Sequence, residues 1–314
     1  MNDKKIAVLG GGTGMSVLLR GLKKLPFDIS AIVSVSDDGS STGRLREEFN
    51  IPAVGDIRKV LVSLSNDSKA VDKLFHYRFD TSSDLDGHAL GNLLLIGASD
   101  IAGNMSGGIE LINTLLHLNG KVLPFTEDNV TLVGVMEDGK LVEGEHHITE
   151  DKRKIKDLKY KEEPKVNPDV LKAIREADAI ILSMGSLFTS IMPILICEEV
   201  QKEIEKSKAK IIYVCNIMTQ PGETDNFKVS DHVKLLNKYL GKRKVDTVVV
   251  NTGDISKDII DKYATTEQKD LVNPDFENLK DLKVIKDNFV LIEDGIIRHN
   301  ALKVAIDLFS YLME

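Results

Sequence analysis

The sequence contains no tryptophan and only two cysteines in 314 residues, and its aromatic complement is six tyrosines and ten phenylalanines. Two thiols, Cys197 in a helical pattern and Cys215 in an apolar strand pattern, cannot build a disulfide framework or a zinc site. They are expected as small core residues in a reducing compartment. Long apolar runs are missing too: Leu187 to Cys197 is interrupted by Thr189, Ser190 and Pro193 and falls short of the roughly 20 residues of a membrane span. The apolar run behind the charged N-terminus, Ile6 to Leu9, is shorter than a signal-peptide core of about 7 to 15 residues. A cytoplasmic location without a membrane span is therefore expected. Positive charge is not in excess: 41 Lys and Arg stand against 49 Asp and Glu, for a net charge of -8. No broad basic face is available to track a nucleic-acid backbone, so the expected partner is a small anion held locally. HExxH, CxxC and a Ser-His-Asp order are absent, which leaves zinc chemistry and triad hydrolysis without a foothold.

What is present is an alternation of short apolar strands with helical patterns. Lys5 to Leu9 precedes a helix at Ser16 to Lys24, and Ile29 to Val35 precedes a polar loop and a helix at Asp56 to Ser65. The alternation resumes with Ala179 to Met184, a helix pattern from Thr189 to Lys206, Lys210 to Asn216, a helix from Ser230 to Leu240, and Val245 to Asn251. Strands apolar on both faces belong to a parallel sheet covered by helices. The expected fold is a Rossmann-like α/β domain over 1–314, with a doubly wound, mostly parallel sheet. Residues 121–163 differ: Val130 to Met136, the turn Glu137-Asp138-Gly139 and Lys140 to Val142 read as a β-hairpin inside a β-rich insertion. Asn167 and Pro168 mark a helix start as N-cap and first helical residue.

Polar, glycine-bearing loops follow the strands. Gly10 to Gly14 links strand to helix in the manner of a phosphate cradle, through Gly11, Gly12, Thr13 and Gly14. Met15 stands where a dinucleotide fingerprint wants glycine and the Walker lysine is missing, so neither nicotinamide nor P-loop chemistry is supported. After the second strand, Asp37 or Asp38 could take a ribose hydroxyl or hold Mg²⁺ against a diphosphate. Asp56 is either an N-cap or a ligand group, and His88 either a satisfied cap or a general base, with Asn92 beside it. Gly185 to Ser190, including Ser186 and Thr189, repeats the strand-loop-helix geometry, and Asn216 to Thr224, including Gln220, forms a dense polar loop.

Taken in order, these motifs resemble the gluconeogenesis-factor family of bacteria, YvcK-like proteins, which is similar to the 2-phospho-L-lactate transferases. The carriers are Gly10 to Gly14, Asp37 to Arg46, Gly55 to Arg58, Gly87-His88 with Gly91-Asn92, Gly185 to Ser190, and Asn216 with Thr219 to Thr224. The sequence departs from the family pattern at Ser40, Lys59, Met184 and Ile194, where glycine, asparagine, proline and asparagine are usual. The resemblance implies a cytoplasmic protein that binds a nucleotide diphosphate or UDP-sugar and serves cell shape and growth on gluconeogenic carbon. A homo-oligomer is expected. The competing reading is an Mg²⁺-dependent transferase moving a phospholactate-type group from a nucleotide diphosphate carrier, with Asp37, Asp38 or His88 as candidate catalytic groups. The residues expected to hold the ligand are Gly11, Gly12, Thr13, Gly14, Asn92, Gly185, Ser186, Thr189, Asn216, Gln220 and Arg298, with Asp37 and Asp38 as metal ligands. Arg298 is included because a cation gains nothing just before a helix N-terminus unless an anion bridges the two.

Overall fold

Ile6, Ala7, Val8 and Leu9 are all buried, because strand β1 (Lys4–Gly10) has a parallel neighbour on each side and helices on both faces. A computed structural model describes residues 3–66 and 68–314. After β1 the chain forms α1 (Gly12–Leu22), β2 (Phe27–Val33), α2 (Ser40–Phe49), α3 (Gly55–Leu64), α4 (Ser68–His76), α5 (Leu90–Ala102), α6 (Met105–Leu116) and β3 (Lys121–Pro124). Next come β4 (Leu132–Met136), β5 (Leu141–Glu143), α7 (Glu145–Glu150), β6 (Ile155–Tyr160), α8 (Pro168–Glu176) and β7 (Ala179–Leu182). A π-helical turn at Leu187–Ile191 leads into α9 (Met192–Leu195) and α10 (Glu198–Lys206). The remainder is β8 (Lys210–Val214), α11 (Val229–Lys238), β9 (Thr247–Asn251), α12 (Lys257–Thr266), β10 (Lys283–Asp287), β11 (Val290–Glu293), β12 (Ile296–His299) and α13 (Ala301–Met313).

The principal sheet is parallel throughout, in the order β10-β9-β8-β7-β1-β2-β3. Ile6 faces Ile29 in β2 and Ala179 in β7, which fixes the register at the centre. The chain winds outward from β1 to β3, returns to β7 beside β1, and winds outward the other way to β10. This reversal opens a crevice between the carboxyl ends of β1 and β7, the place where open α/β sheets take ligands. Helices α1, α3 and α13 pack together, while α8 packs with α10. Right-handed crossovers running in opposite directions put those two groups on opposite faces of the sheet.

Three sequence expectations change. Lys121–Pro124 is not part of an insertion: as β3 it pairs with β2 and closes the sheet edge, so the β-rich insertion starts after it. That insertion is a three-stranded antiparallel sheet, β5-β4-β6, because the charged stretch near Lys156 alternates as IKDLKY and buries Ile155, Leu158 and Tyr160. The single helix expected from Thr189 to Lys206 is broken into the π turn, α9 and α10, with Pro193 in the first turn of α9 and Cys197 as N-cap of α10. Near the C-terminus β11 and β12 pair as an antiparallel hairpin. Asn167 does cap α8, accepting from the Asp169 N–H at 3.0 Å, with Pro168 behind it. Both cysteines are buried and free, and Ile194 is a core residue. Among the described residues, no helix is long and apolar enough to cross a membrane.

Candidate functional site

The β1 loop turns sharply because Gly12 adopts φ +65°. Gly14 is required for a different reason: a Cβ there would lie 2.3 Å from the Met184 carbonyl oxygen. The first turn of α1 thus rests directly on the backbone that follows β7. Between them lies a cleft of about 520 Å³ lined by Gly11, Gly12, Thr13, Gly14, Gly185, Ser186, Asn216 and Gln220, among others. Eight residues expected from three separated stretches of sequence meet there.

The β7 side is held by buried polar contacts. Ser186 accepts from the Thr189 N–H at 3.0 Å and the Thr189 hydroxyl at 2.8 Å, and donates to the Glu223 carboxyl at 2.5 Å. Glu223 is buried, and desolvation pushes its carboxyl up to about 7. The π turn begins on this cap, so Leu187–Ile191 is wound more loosely than an α-helix where it borders the cleft, a common position for π turns. Asn216 ties the neighbouring loop in: its amide donates to the Gly185 carbonyl at 3.0 Å and its carbonyl accepts from the Tyr213 hydroxyl at 3.3 Å. Gln220 lines the cleft with its side-chain carbonyl oxygen buried and without a partner among the described residues.

Carboxylates gather at the other end. Asp56 is not the N-cap of α3, a position held by Val54; it lies in the first turn and reaches the glycine loop, where its Oδ2 is 2.6 Å from the Cβ position of Gly11. Its Oδ1 accepts from Lys59 Nζ at 2.9 Å, which offsets its charge. Asp37 accepts from the Gly39 N–H at 3.0 Å, and its carboxyl is raised above the usual range, chiefly by burial, with Asp56 and Asp38 adding repulsion. Glu145, the first residue of α7, is raised to about 7 by burial and then by Asp37, against a hydrogen bond with Thr189. Asp38 turns away toward the insertion and accepts from the His146 N–H at 2.8 Å. Among the described residues no group of three or more His, Cys, Asp or Glu is placed to hold a metal ion.

Three expected residues lie elsewhere. His88 is buried with Nδ1 2.8 Å from the Ser41 hydroxyl, so it joins the segment before α5 to α2, and burial holds it below the usual histidine range. Asn92 is buried in α5, away from the cleft lining, with its carbonyl oxygen unpartnered. Arg298 lines an adjacent groove that shares only Thr13 with the cleft. Conversely, Tyr263 and Lys269 line the cleft without having been singled out. Lys269 is brought there by the pairing of its neighbour Asp270 with Thr219: the Thr219 N–H donates to the Asp270 carbonyl at 2.8 Å, and the Asp270 N–H to the Thr219 hydroxyl at 2.9 Å.

The family model described as 2-phospho-L-lactate transferase CofD matches residues 6–290. The chain belongs to the CofD family. Within it, the chain is 46% identical to the gluconeogenesis factor of Bacillus subtilis (strain 168), over 99% of this chain and 98% of the relative. It is 43% identical to a putative gluconeogenesis factor of Thermotoga maritima, over 96% of this chain and 97% of the relative. The crystal structure of protein BH3568 from Bacillus halodurans, elsewhere described as a member of the UPF0052 family, superposes with a TM-score of 0.94 at 43% identity, covering 99% of this chain and all of that one. The seven-stranded parallel sheet with its flanking helices is therefore an architecture of this CofD branch.

Proposed function

We propose that this CofD-family protein is a cytoplasmic regulator that binds a UDP-sugar and serves cell shape and growth under gluconeogenic conditions. The observation that carries the reading is the cleft between the β1 and β7 loops, where glycine backbone and the start of α1 face a hollow large enough for a nucleotide diphosphate. The unpartnered carbonyl of Gln220 offers an acceptor for a base N–H or a sugar hydroxyl. Lys269, held by Glu267 at 2.7 Å, brings a cation to the same wall. The names of the Bacillus subtilis and Thermotoga maritima relatives support the physiological half of the reading. Magnesium would enter with the diphosphate, held by Asp37, since such ions commonly take one or two carboxylates and complete their shell with phosphate and water. The exposed apolar residues Ile101 and Leu115 on α5 and α6 support self-association.

Glu145 favours the second reading, transfer of a phospholactate-type group. A carboxyl pushed up to about 7 by burial beside Asp37 is suited to take a proton from an acceptor hydroxyl. Binding without turnover is preferred because His88 is committed to Ser41 and Tyr263 is the one aromatic ring lining the cleft, a thin platform for a tricyclic acceptor. A thermal-shift panel of uridine, guanosine and nicotinamide nucleotides, with and without Mg²⁺, tests the proposal. A ligand at 100 times its Kd should stabilise by about 2.7 kcal/mol. Stabilisation by the nicotinamide pair alone would overturn it, and release of a nucleotide monophosphate on adding a deazaflavin acceptor would favour the transferase.

A further inference from the structure

Behind Asn216 a chain of hydrogen bonds leaves the cleft and runs into the core between β8 and α11. The Asn216 side-chain carbonyl lies 3.3 Å from the hydroxyl of Tyr213, in β8. That hydroxyl in turn lies 2.8 Å from Nδ1 of His232, in α11. Tyr213 and His232 are both fully buried. The imidazole stacks on the Tyr213 ring at a centroid distance of 6.0 Å and meets Phe227 edge-on at 5.5 Å. Burial among these rings keeps it neutral, its pKa pushed down to about 4 against the opposing pull of Asp231. A histidine is a costly filler for such a slot, because its ring nitrogens are desolvated there.

The direction of the chain follows from one fixed end. The Gly185 carbonyl only accepts, so the Asn216 atom 3.0 Å from it is the amide nitrogen, and the Asn216 oxygen faces Tyr213. That oxygen also only accepts, so Tyr213 directs its single hydroxyl proton to it. The Tyr213 oxygen is then the acceptor toward His232, and Nδ1 carries the imidazole hydrogen. A neutral imidazole protonated at Nδ1 is bare at Nε2, and Nε2 is the His232 atom that is buried without a partner among the described residues. A bare acceptor is tolerated in the core better than an orphaned N–H. Network and burial thus give the same tautomer.

We propose that His232 and Tyr213 are positioning residues for the cleft: a one-way relay, from His232 Nδ1–H to the Tyr213 hydroxyl to the Asn216 carbonyl, fixes the amide that holds the Gly185 loop against the loop after β8. Neither residue lines the cleft, so both act through Asn216. With the relay broken, the Asn216 amide is free to turn over, which sets its oxygen against the Gly185 carbonyl and loosens the junction. The effect on ligand affinity rests on the reading of the cleft as a UDP-sugar site; the relay itself does not.

The experiment compares the full-length parent with variants matched in shape. An asparagine amide nitrogen reaches about as far from the backbone as Nδ1 of histidine, and that of glutamine about as far as Nε2. His232→Asn should therefore keep the donor and His232→Gln lose it, although glutamine fills more of the slot. Tyr213→Phe keeps the ring and removes the hydroxyl. In the ligand-free parent, long-range proton–nitrogen NMR should show His232 protonated at Nδ1 alone. The N–H groups of Thr189, Ser190 and Ile191 all bond to Ser186, beside Gly185. Their hydrogen exchange, measured against the β4 amides, should quicken at least about tenfold in Tyr213→Phe and His232→Gln and stay within about threefold of the parent in His232→Asn. Affinity for UDP, the part common to all UDP-sugars, should fall in the same two variants and be retained in His232→Asn. Protonation at Nε2, unchanged exchange in Tyr213→Phe, or equal behaviour of His232→Asn and His232→Gln overturns the proposal, as does unaltered UDP affinity in Tyr213→Phe. If Tyr213→Phe does not fold, the parent tautomer and the two His232 variants decide. A parent that binds no UDP but shows the expected tautomer and exchange sinks the UDP-sugar reading and supports the relay.

Discussion

Ser186 donates a hydrogen bond to the buried carboxyl of Glu223 at 2.5 Å, and in doing so joins the turn after β7 to the loop after β8. Thr189 closes the same network by donating to Ser186, and its contact with Glu145 extends it to the insertion. One wall of the cleft is therefore a polar network drawn from three parts of the chain, with a carboxyl at each end that titrates near neutrality.

That network makes stability depend on pH. Glu223 is raised by burial from the ordinary value of 4.5 to about 7. Below pH 4.5 both folded and unfolded chains hold the proton, and nothing is lost. As pH rises to 7 the unfolded chain ionises first, so stability falls by on the order of 3 kcal/mol and levels off above 7. Glu223→Gln should therefore gain stability relative to the parent at pH 8 and show no such gain at pH 4.5. Equal differences at both pH values in thermal unfolding would mean that Glu223 is ionised in the fold.

The glycine loop calls for a substitution its backbone tolerates. Gly12→Val would block an approaching diphosphate, but at φ +65° a β-branched residue is also strained. Asparagine visits that region readily, and a Cβ at Gly12 meets nothing closer than Asp56 Oδ2 at 3.8 Å. Gly12→Asn should keep the melting temperature within a few degrees while UDP-sugar binding falls at least about tenfold, the effect of losing about 1.4 kcal/mol. Normal binding by this variant would reduce the loop to a turn.

Asp37 and Asp38 should separate in their response to Mg²⁺. Asp37 faces Asp56 and Glu145, whereas Asp38 is turned to the His146 backbone. Asp37→Asn should abolish the Mg²⁺-dependent part of ligand affinity, and Asp38→Asn should leave it intact. Nucleotide titrations with and without the ion decide; identical Mg²⁺ responses in Asp37→Asn and the parent would remove Asp37 as a metal ligand.

Lys269 is the cation that lines the cleft itself. Its side chain is only partly buried and paired with Glu267, so Lys269→Gln should change folding stability by no more than about 0.5 kcal/mol. UDP-sugar affinity should fall by roughly 1 kcal/mol or more and become less sensitive to salt. An unaltered salt dependence would show that Lys269 does not meet the ligand.

Local pattern determined the strands, the helices that follow them and the glycine loops. A run such as Ile6 to Leu9 bounded by Gly10 declares a doubly covered strand ending in a turn, because side-chain burial and backbone sterics act within a few residues. The strand order carries no such local mark. Only the folded chain decides that β7 returns beside β1, and hence that Gly14 rests on Met184 and two loops 170 residues apart make one cleft. The same holds for side chains in unremarkable stretches: Glu145 reaches the site through the insertion, and Lys269 through the pairing of Thr219 with Asp270. Arg298 stands before a helix as its position suggests, yet the turn of the β11–β12 hairpin sends it to the neighbouring groove. Which residues share a hollow is set by long-range pairing, and sequence spacing does not encode it.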